Sequence, residues 1–145
     1  MNRRVRGPVF ETNSSSVHTL SICSNSHRPA ILESRIGIIS IMPGEFGWGP
    51  DTYRDTYTKA SYCLTYCLEL KRDDLLERLR AVMESVCGCK IEFVYSFGQY
   101  GITDAYIDHQ SIELDAGGDA FQSEQSLKDF IFNPASVLEI DNDNH

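Results

Sequence analysis

Apolar and polar side chains alternate along residues 17–23, with His18, Leu20 and Ile22 on one face and Thr19 and Ser21 on the other. This is the period of a half-buried strand, and it predicts that His18 points inward with Leu20 and Ile22. Residues 35–42 are richer in isoleucine and interrupted by Gly37, which suits a more buried strand or one with a bulge. Pro43 and Gly44 end it. Residues 44–50 then set three glycines around Phe46 and Trp48, the composition of a loop whose backbone can approach a neighbour closely. From Ala60 the period changes. Ala60, Cys63, Leu64, Cys67 and Leu68 recur at helical spacing and predict a helix over residues 56–70 packed by one face. A second helix is expected over residues 74–86, with Asp74 as N-cap, Glu77 completing a variant capping box, and Gly88 as the stop. Residues 89–95 alternate again, Gly98 to Gly101 closes a hairpin, and residues 105–114 read as extended. Residues 123–132 form a short helix that Asn133-Pro134 ends, and residues 137–140 a last strand. The order predicts one α+β domain over residues 1–140: a mainly antiparallel sheet of about five strands, with two to three helices on one face. Residues 141–145 are expected to be a polar tail.

The chain has 145 residues and a formal net charge of -8. A domain of this length buries roughly 70% of its unfolded surface, so no metal or disulfide is needed to hold it together. No apolar run approaches the ~20 residues of a membrane span, and the polar residues 11–16 stand where a secretory signal would be apolar. A cytoplasmic protein is expected. Five cysteines, an odd number at irregular spacing, indicate reduced thiols. Cys63 and Cys67 lie in the helical stripe as small hydrophobes, and Cys87 and Cys89 are too close together for a zinc knuckle.

The charge is uneven. Residues 1–103 carry 12 basic and 11 acidic side chains, residues 104–145 one basic and ten acidic. An acidic C-terminal third argues against direct nucleic-acid binding and for a basic partner surface.

Candidate chemistry gathers in two islands. Asn13, Ser14, Ser15 and Ser16 offer hydroxyl, amide and backbone donors of the kind that bind phosphate oxygens, without a P-loop or dinucleotide glycine pattern. His18 follows them, and Asp108 and His109 form the second island. His18 or His109 would handle a proton, with Glu11 or Asp108 orienting an imidazole. On a regular strand Asp108 and His109 project to opposite faces, so a joint site needs a bulge there. Glu11, His18 and His109 are also ligand types for a metal, but no metal or other cofactor is assigned. Trp48, between two glycines, suits a stacking or docking contact.

The opening Arg6-Gly7-Pro8-Val9-Phe10-Glu11-Thr12-Asn13-Ser14-Ser15-Ser16-Val17-His18-Thr19-Leu20 resembles the N-terminal Gly-x-Phe-Glu-Thr-Asn-Ser-Ser-Ser-x-His-Ser-Leu of a group of small bacteriophage and prophage proteins. Thr19 stands where that pattern has Ser. Tyr106-Ile107-Asp108-His109-Gln110-Ser111 and Phe132-Asn133-Pro134-Ala135-Ser136 with Asn142-Asp143-Asn144 look like further shared islands. The resemblance implies a phage or prophage setting in a bacterial cytoplasm, and it brings no activity with it. Two readings follow. One is binding, with or without turnover, of a phosphorylated or nucleotide-like ligand at Asn13 to Ser16 with His18 and His109. The other is a non-catalytic acidic inhibitor of a host defence or regulatory protein.

Overall fold

The computed structural model describes residues 16–24, 28–47, 50–99, 101–102, 106–107 and 118–142. Helix α1, Thr56–Leu70, lies at the centre. Asp55 caps it, its carboxylate accepting from the Thr58 N–H at 2.8 Å, and Lys71 closes it in the left-handed region at φ 56°. Lys59 and Glu69 are the only charged residues among its fifteen. A helix without a charged face has no side to give to water, and every residue from Lys59 to Leu68 is buried. The stripe of alanine, cysteine and leucine was expected to be its one packed face. The opposite side buries too, because its hydroxyls find partners.

Helix α2, Asp73–Cys87, keeps the amphipathic form, burying Leu75, Leu76, Leu79, Val82 and Met83. Its N-cap is Arg72 rather than Asp74. Both Asp74 oxygens are taken by the Arg72 guanidinium, at 2.8 and 2.7 Å, and Asp73 and Asp74 lie together in a first turn where the helix dipole favours acids. Gly88 ends the helix as expected, at φ 68°, its N–H on the Glu84 carbonyl at 2.9 Å. Helix α3, Glu124–Phe132, is capped by Ser123 and stops at Asn133. A 3-10 turn, Gly118–Gln122, precedes it.

The strands are β1 Ser16–Ser21, β2 Ile38–Ile41, β3 Glu45–Phe46, β4 Asp51–Tyr53, β5 Lys90–Phe93, β6 Phe97–Gly98, β7 Gly101–Ile102, β8 Tyr106–Ile107 and β9 Val137–Asn142. The α+β class holds, with the strands spread over four small sheets. The largest is antiparallel, in the order β1-β9-β4, with Ile140 opposite His18 and Asp51. β6 and β7 form the expected hairpin. β2 pairs with β5, and β3 with β8, in parallel, and a parallel pair needs a crossover, which α1 and α2 supply between β2 and β5. Alternation told which residues face inward but not which strand each one joins. β3 and β4, in and just after the expected glycine loop, are two and three residues long, too short to show a period. β9 continues to Asn142, into residues expected as a tail. No helix among the described residues is long and apolar enough to cross a membrane.

Candidate functional site

The two sequence islands differ in how much of them can be placed. Glu11, Asn13, Ser14, Ser15, Trp48, Asp108 and His109 lie outside the described residues. Ser16 opens β1, paired with Asn142. His18 follows two residues later on the inward face, 7% exposed, and its Nδ1 lies 2.9 Å from the Tyr62 hydroxyl of α1. Tyr62 stands edge-on to Phe46, ring centres 5.0 Å apart, and Phe46 edge-on to Tyr53 at 5.9 Å. This row of rings joins the antiparallel sheet to α1 and β3, in the geometry aromatic quadrupoles favour. A phenol on Nδ1 fixes the orientation of the imidazole and couples its tautomer to the hydroxyl.

A second polar centre escaped the sequence reading. Lys59 is fully buried, and its Nζ donates to the carbonyls of Asn133 and Ser136, both at 2.9 Å. Around it, Asn133 Oδ1 accepts from the Ala135 N–H and its amide donates to the Cys23 carbonyl. Ser136 Oγ accepts from the Cys23 N–H at 2.8 Å and donates to the Asp129 carbonyl at 2.7 Å. The Asn-Pro-Ala-Ser turn is thereby tied to α1, α3 and the segment after β1. Burial lowers the Lys59 pKa to about 8, against the opposing pull of Asp55 and Cys63. Two carbonyl acceptors match the two N–H groups of a neutral amine, so the site suits an uncharged lysine as well as a charged one. The signal was there in the sequence: one lysine in a helix otherwise almost free of charge.

Three further hydroxyls of α1 hold the loop after β2. Tyr57 Oη accepts from the Met42 N–H at 3.1 Å, Ser61 Oγ donates to the Met42 carbonyl at 2.6 Å, and Thr65 Oγ1 accepts from the Gly44 N–H at 3.0 Å. Tyr66 stacks on Phe121 of the 3-10 turn. These contacts position backbone.

All five cysteines are free. Burial pushes the Cys63 thiol well above its usual range and Cys67 up to about 12. Neither is a thiolate near neutral pH, so neither is a nucleophile or a ready metal ligand. No group of three or more His, Cys, Asp or Glu side chains is placed to hold a metal among the described residues.

Two concavities of the surface bear on the argument. A cleft of about 240 Å³ has Pro29, Val86 and Phe132 among its lining, with Lys128 and Asp129 beside them. Asp129 accepts a hydrogen bond from Gln125 at 2.9 Å, and among the described residues no histidine or cysteine borders the cleft. The second is an open hollow where β4 meets β9, lined by Pro50, Asp51, Thr52, Glu139, Ile140 and Asp141. Asp51 accepts from the Tyr53 hydroxyl at 2.9 Å, and burial with this hydrogen bond pushes Tyr53 up to about 12. Among the described residues, three carboxylates and no basic side chain line the hollow.

No protein-family model matches the chain, and neither a curated protein nor a solved structure gives a match.

Proposed function

We propose that the protein is a non-catalytic binding protein that docks its acidic sheet face on a basic surface of a host defence or regulatory protein, in a phage or prophage setting. The observation that carries this reading is the hollow at the β4–β9 edge, where Asp51, Glu139 and Asp141 stand exposed together with no lysine or arginine among the described residues of the lining. The excess of ten acidic over one basic side chain in residues 104–145 supports it. Such a surface steers a basic partner, and its association weakens with salt. Glu139→Lys with Asp141→Lys tests the reading, because both side chains are exposed on β9 and their backbone pairing is untouched. A host protein retained from bacterial lysate at about 50 mM salt should be released near 500 mM, where screening shortens to a few ångströms, and should not bind the double variant. Equal retention of that protein by both chains refutes the proposal.

A second reading is the phosphorylated or nucleotide-like ligand at Asn13 to Ser16, with His18 as the proton-handling group. It is supported by the Tyr62 hydroxyl fixing the His18 ring two residues beyond Ser16. Native mass spectrometry separates the two: a retained nucleotide or phosphate ester favours this reading, and a retained polypeptide the first.

A further inference from the structure

Helix α3 carries two stripes. Leu127, Phe130 and Ile131 are wholly buried in the core. Gln125, Lys128, Asp129 and Phe132, at i, i+3, i+4 and i+7, share the neighbouring face, and all four line the cleft of about 240 Å³. Val86, from the last turn of α2, and Pro29, from the segment between β1 and β2, line it as well. The cleft thus sets an apolar part, Phe132, Val86 and Pro29, beside one cation and one carboxylate.

Those two charges are not spent on each other. Glu124 stands four residues before Lys128, the order that favours an ion pair on a helix surface, yet Lys128 pairs with neither Glu124 nor Asp129, and its ammonium has no hydrogen bond among the described residues. It is half-buried, and it is the one basic side chain of residues 104–145. The half-buried Asp129 accepts from Gln125 through Oδ1 at 2.9 Å. Its Oδ2 has no partner among the described residues. Partly desolvated charges of opposite sign that leave each other unpaired are suited to a ligand that carries both signs.

We propose that the cleft binds a free α-amino acid with an apolar side chain, its carboxylate on the Lys128 ammonium, its ammonium on Asp129 Oδ2, and its side chain against Phe132, Val86 and Pro29. The volume of about 240 Å³ falls below the about 300–1,000 Å³ of pockets for drug-sized ligands, so the occupant is small. The last turns of α2 and α3 both border the cleft. The negative ends of their dipoles, together with Asp129, favour an ammonium and oppose a doubly charged phosphate. A zwitterion brings one charge of each sign and leaves the local balance unchanged. The cleft shares no lining residue with the acidic hollow at β4 and β9, so this site is independent of the partner that the sheet face takes.

Titration of the full chain with L-leucine and L-phenylalanine to about 10 mM, enough to fill a site with a Kd of about 1 mM, should give saturable amide NMR shifts at Val86, Lys128, Asp129 and Phe132. L-Leucinamide lacks the carboxylate and N-acetyl-L-leucine lacks the ammonium, and each should bind about tenfold or more weakly, the loss expected when a charge-assisted hydrogen bond is removed. Lys128→Met should weaken L-leucine by a similar factor and leave L-leucinamide nearly unchanged. Asp129→Asn should weaken L-leucine and leave N-acetyl-L-leucine nearly unchanged. The amide spectrum itself reports that each variant is folded. Absence of saturable shifts with both amino acids overturns the proposal, as does a derivative that binds as tightly as L-leucine, or an L-leucine affinity that either variant leaves unchanged. Saturable shifts at the cleft from adenosine monophosphate in place of L-leucine overturn it in favour of a nucleotide site.

Discussion

Helices α1 and α2 have fifteen residues each and pack against one another, yet they spend their polar side chains in opposite ways. α2 keeps most of its charges at the surface, where Arg72 pairs with Asp74 and Arg80 with Glu77, while Arg78 and Glu84 reach backbone of other segments. Such surface ion pairs contribute little. α1 turns its polar groups inward, and nearly every one holds a piece of backbone or a ring from another segment. Lys59 takes the Asn133–Ser136 turn, Ser61 and Thr65 the loop after β2, and Tyr62 the imidazole of His18. A buried polar group costs free energy unless it is bonded, so the order of α1 and of the loops around it is mutual.

The largest expected effect breaks this contrast at Lys59. Lys59→Met keeps the length of the side chain and removes both donors, leaving the Ser136 carbonyl unpaired and weakening the Asn133 turn. Each orphaned buried acceptor costs about 1–3 kcal/mol, and a loss of about 3 kcal/mol is expected in urea unfolding. The counterpart Arg78→Met on α2, which gives up one hydrogen bond to the Phe121 carbonyl, should cost about 1 kcal/mol.

The pH dependence sharpens the same point. The folded Lys59 pKa is lowered to about 8, so between pH 8 and the unfolded value near 10.5 the unfolded chain binds more protons and this residue's contribution to stability rises with pH. Cys63 and Cys67 act in the opposite sense. Their unfolded thiols ionise near pH 9 while the folded ones keep their protons, so stability is lost as pH rises past 9. The unaltered chain should therefore weaken above pH 9, and the gap between it and Lys59→Met should widen from pH 8 to pH 10. A gap that narrows over that interval, measured by urea midpoints, would show that the charged amine is the better fit.

Tyr62→Phe comes next. It keeps the ring row with Phe46 and removes the hydroxyl that meets His18 Nδ1, so about 1–2 kcal/mol is expected. On the His18 ring its effect is separable from packing: the imidazole nitrogen chemical shifts, followed by NMR at one pH, should move in the variant because the contact with Nδ1 is lost. Unmoved shifts would mean that the hydroxyl does not bear on the ring.

What the sequence revealed divides along the same line. Apolar spacing was enough to set α1 at Thr56–Leu70 to the residue and α3 to within one, and alternation was enough to turn His18 inward. Spacing is silent about partners, however. Nothing in Thr-Lys-Ala-Ser-Tyr says that Lys59 meets a turn seventy-four residues away, or that Ile38 pairs with Lys90 in parallel. The acidic hollow had a partial signal, since Glu139 turns outward on a strand foreseen over residues 137–140, while Asp141 fell in the expected tail. Asp51 completes it from a strand of three residues, which no period could announce.

The smallest effects concern how the two helices end. Both close on a left-handed residue, Gly88 for α2 and Lys71 for α1. Glycine adopts that conformation without the Cβ crowding that other residues meet. A Cβ added at Gly88 would meet nothing within 4 Å, so Gly88→Ala isolates the backbone strain, and about 1 kcal/mol of destabilisation is expected. Lys71→Gly is the reverse experiment. Lys71 is exposed, and its backbone N–H reaches the Cys67 and Leu68 carbonyls whatever the side chain. Glycine there relieves the strain but widens the unfolded ensemble, and the two oppose each other. A net gain of a few tenths of a kcal/mol is expected, smaller than the loss at Gly88. An equal or larger gain would mean that α1, despite its burial on every side, carries at its end more strain than its packing was thought to leave.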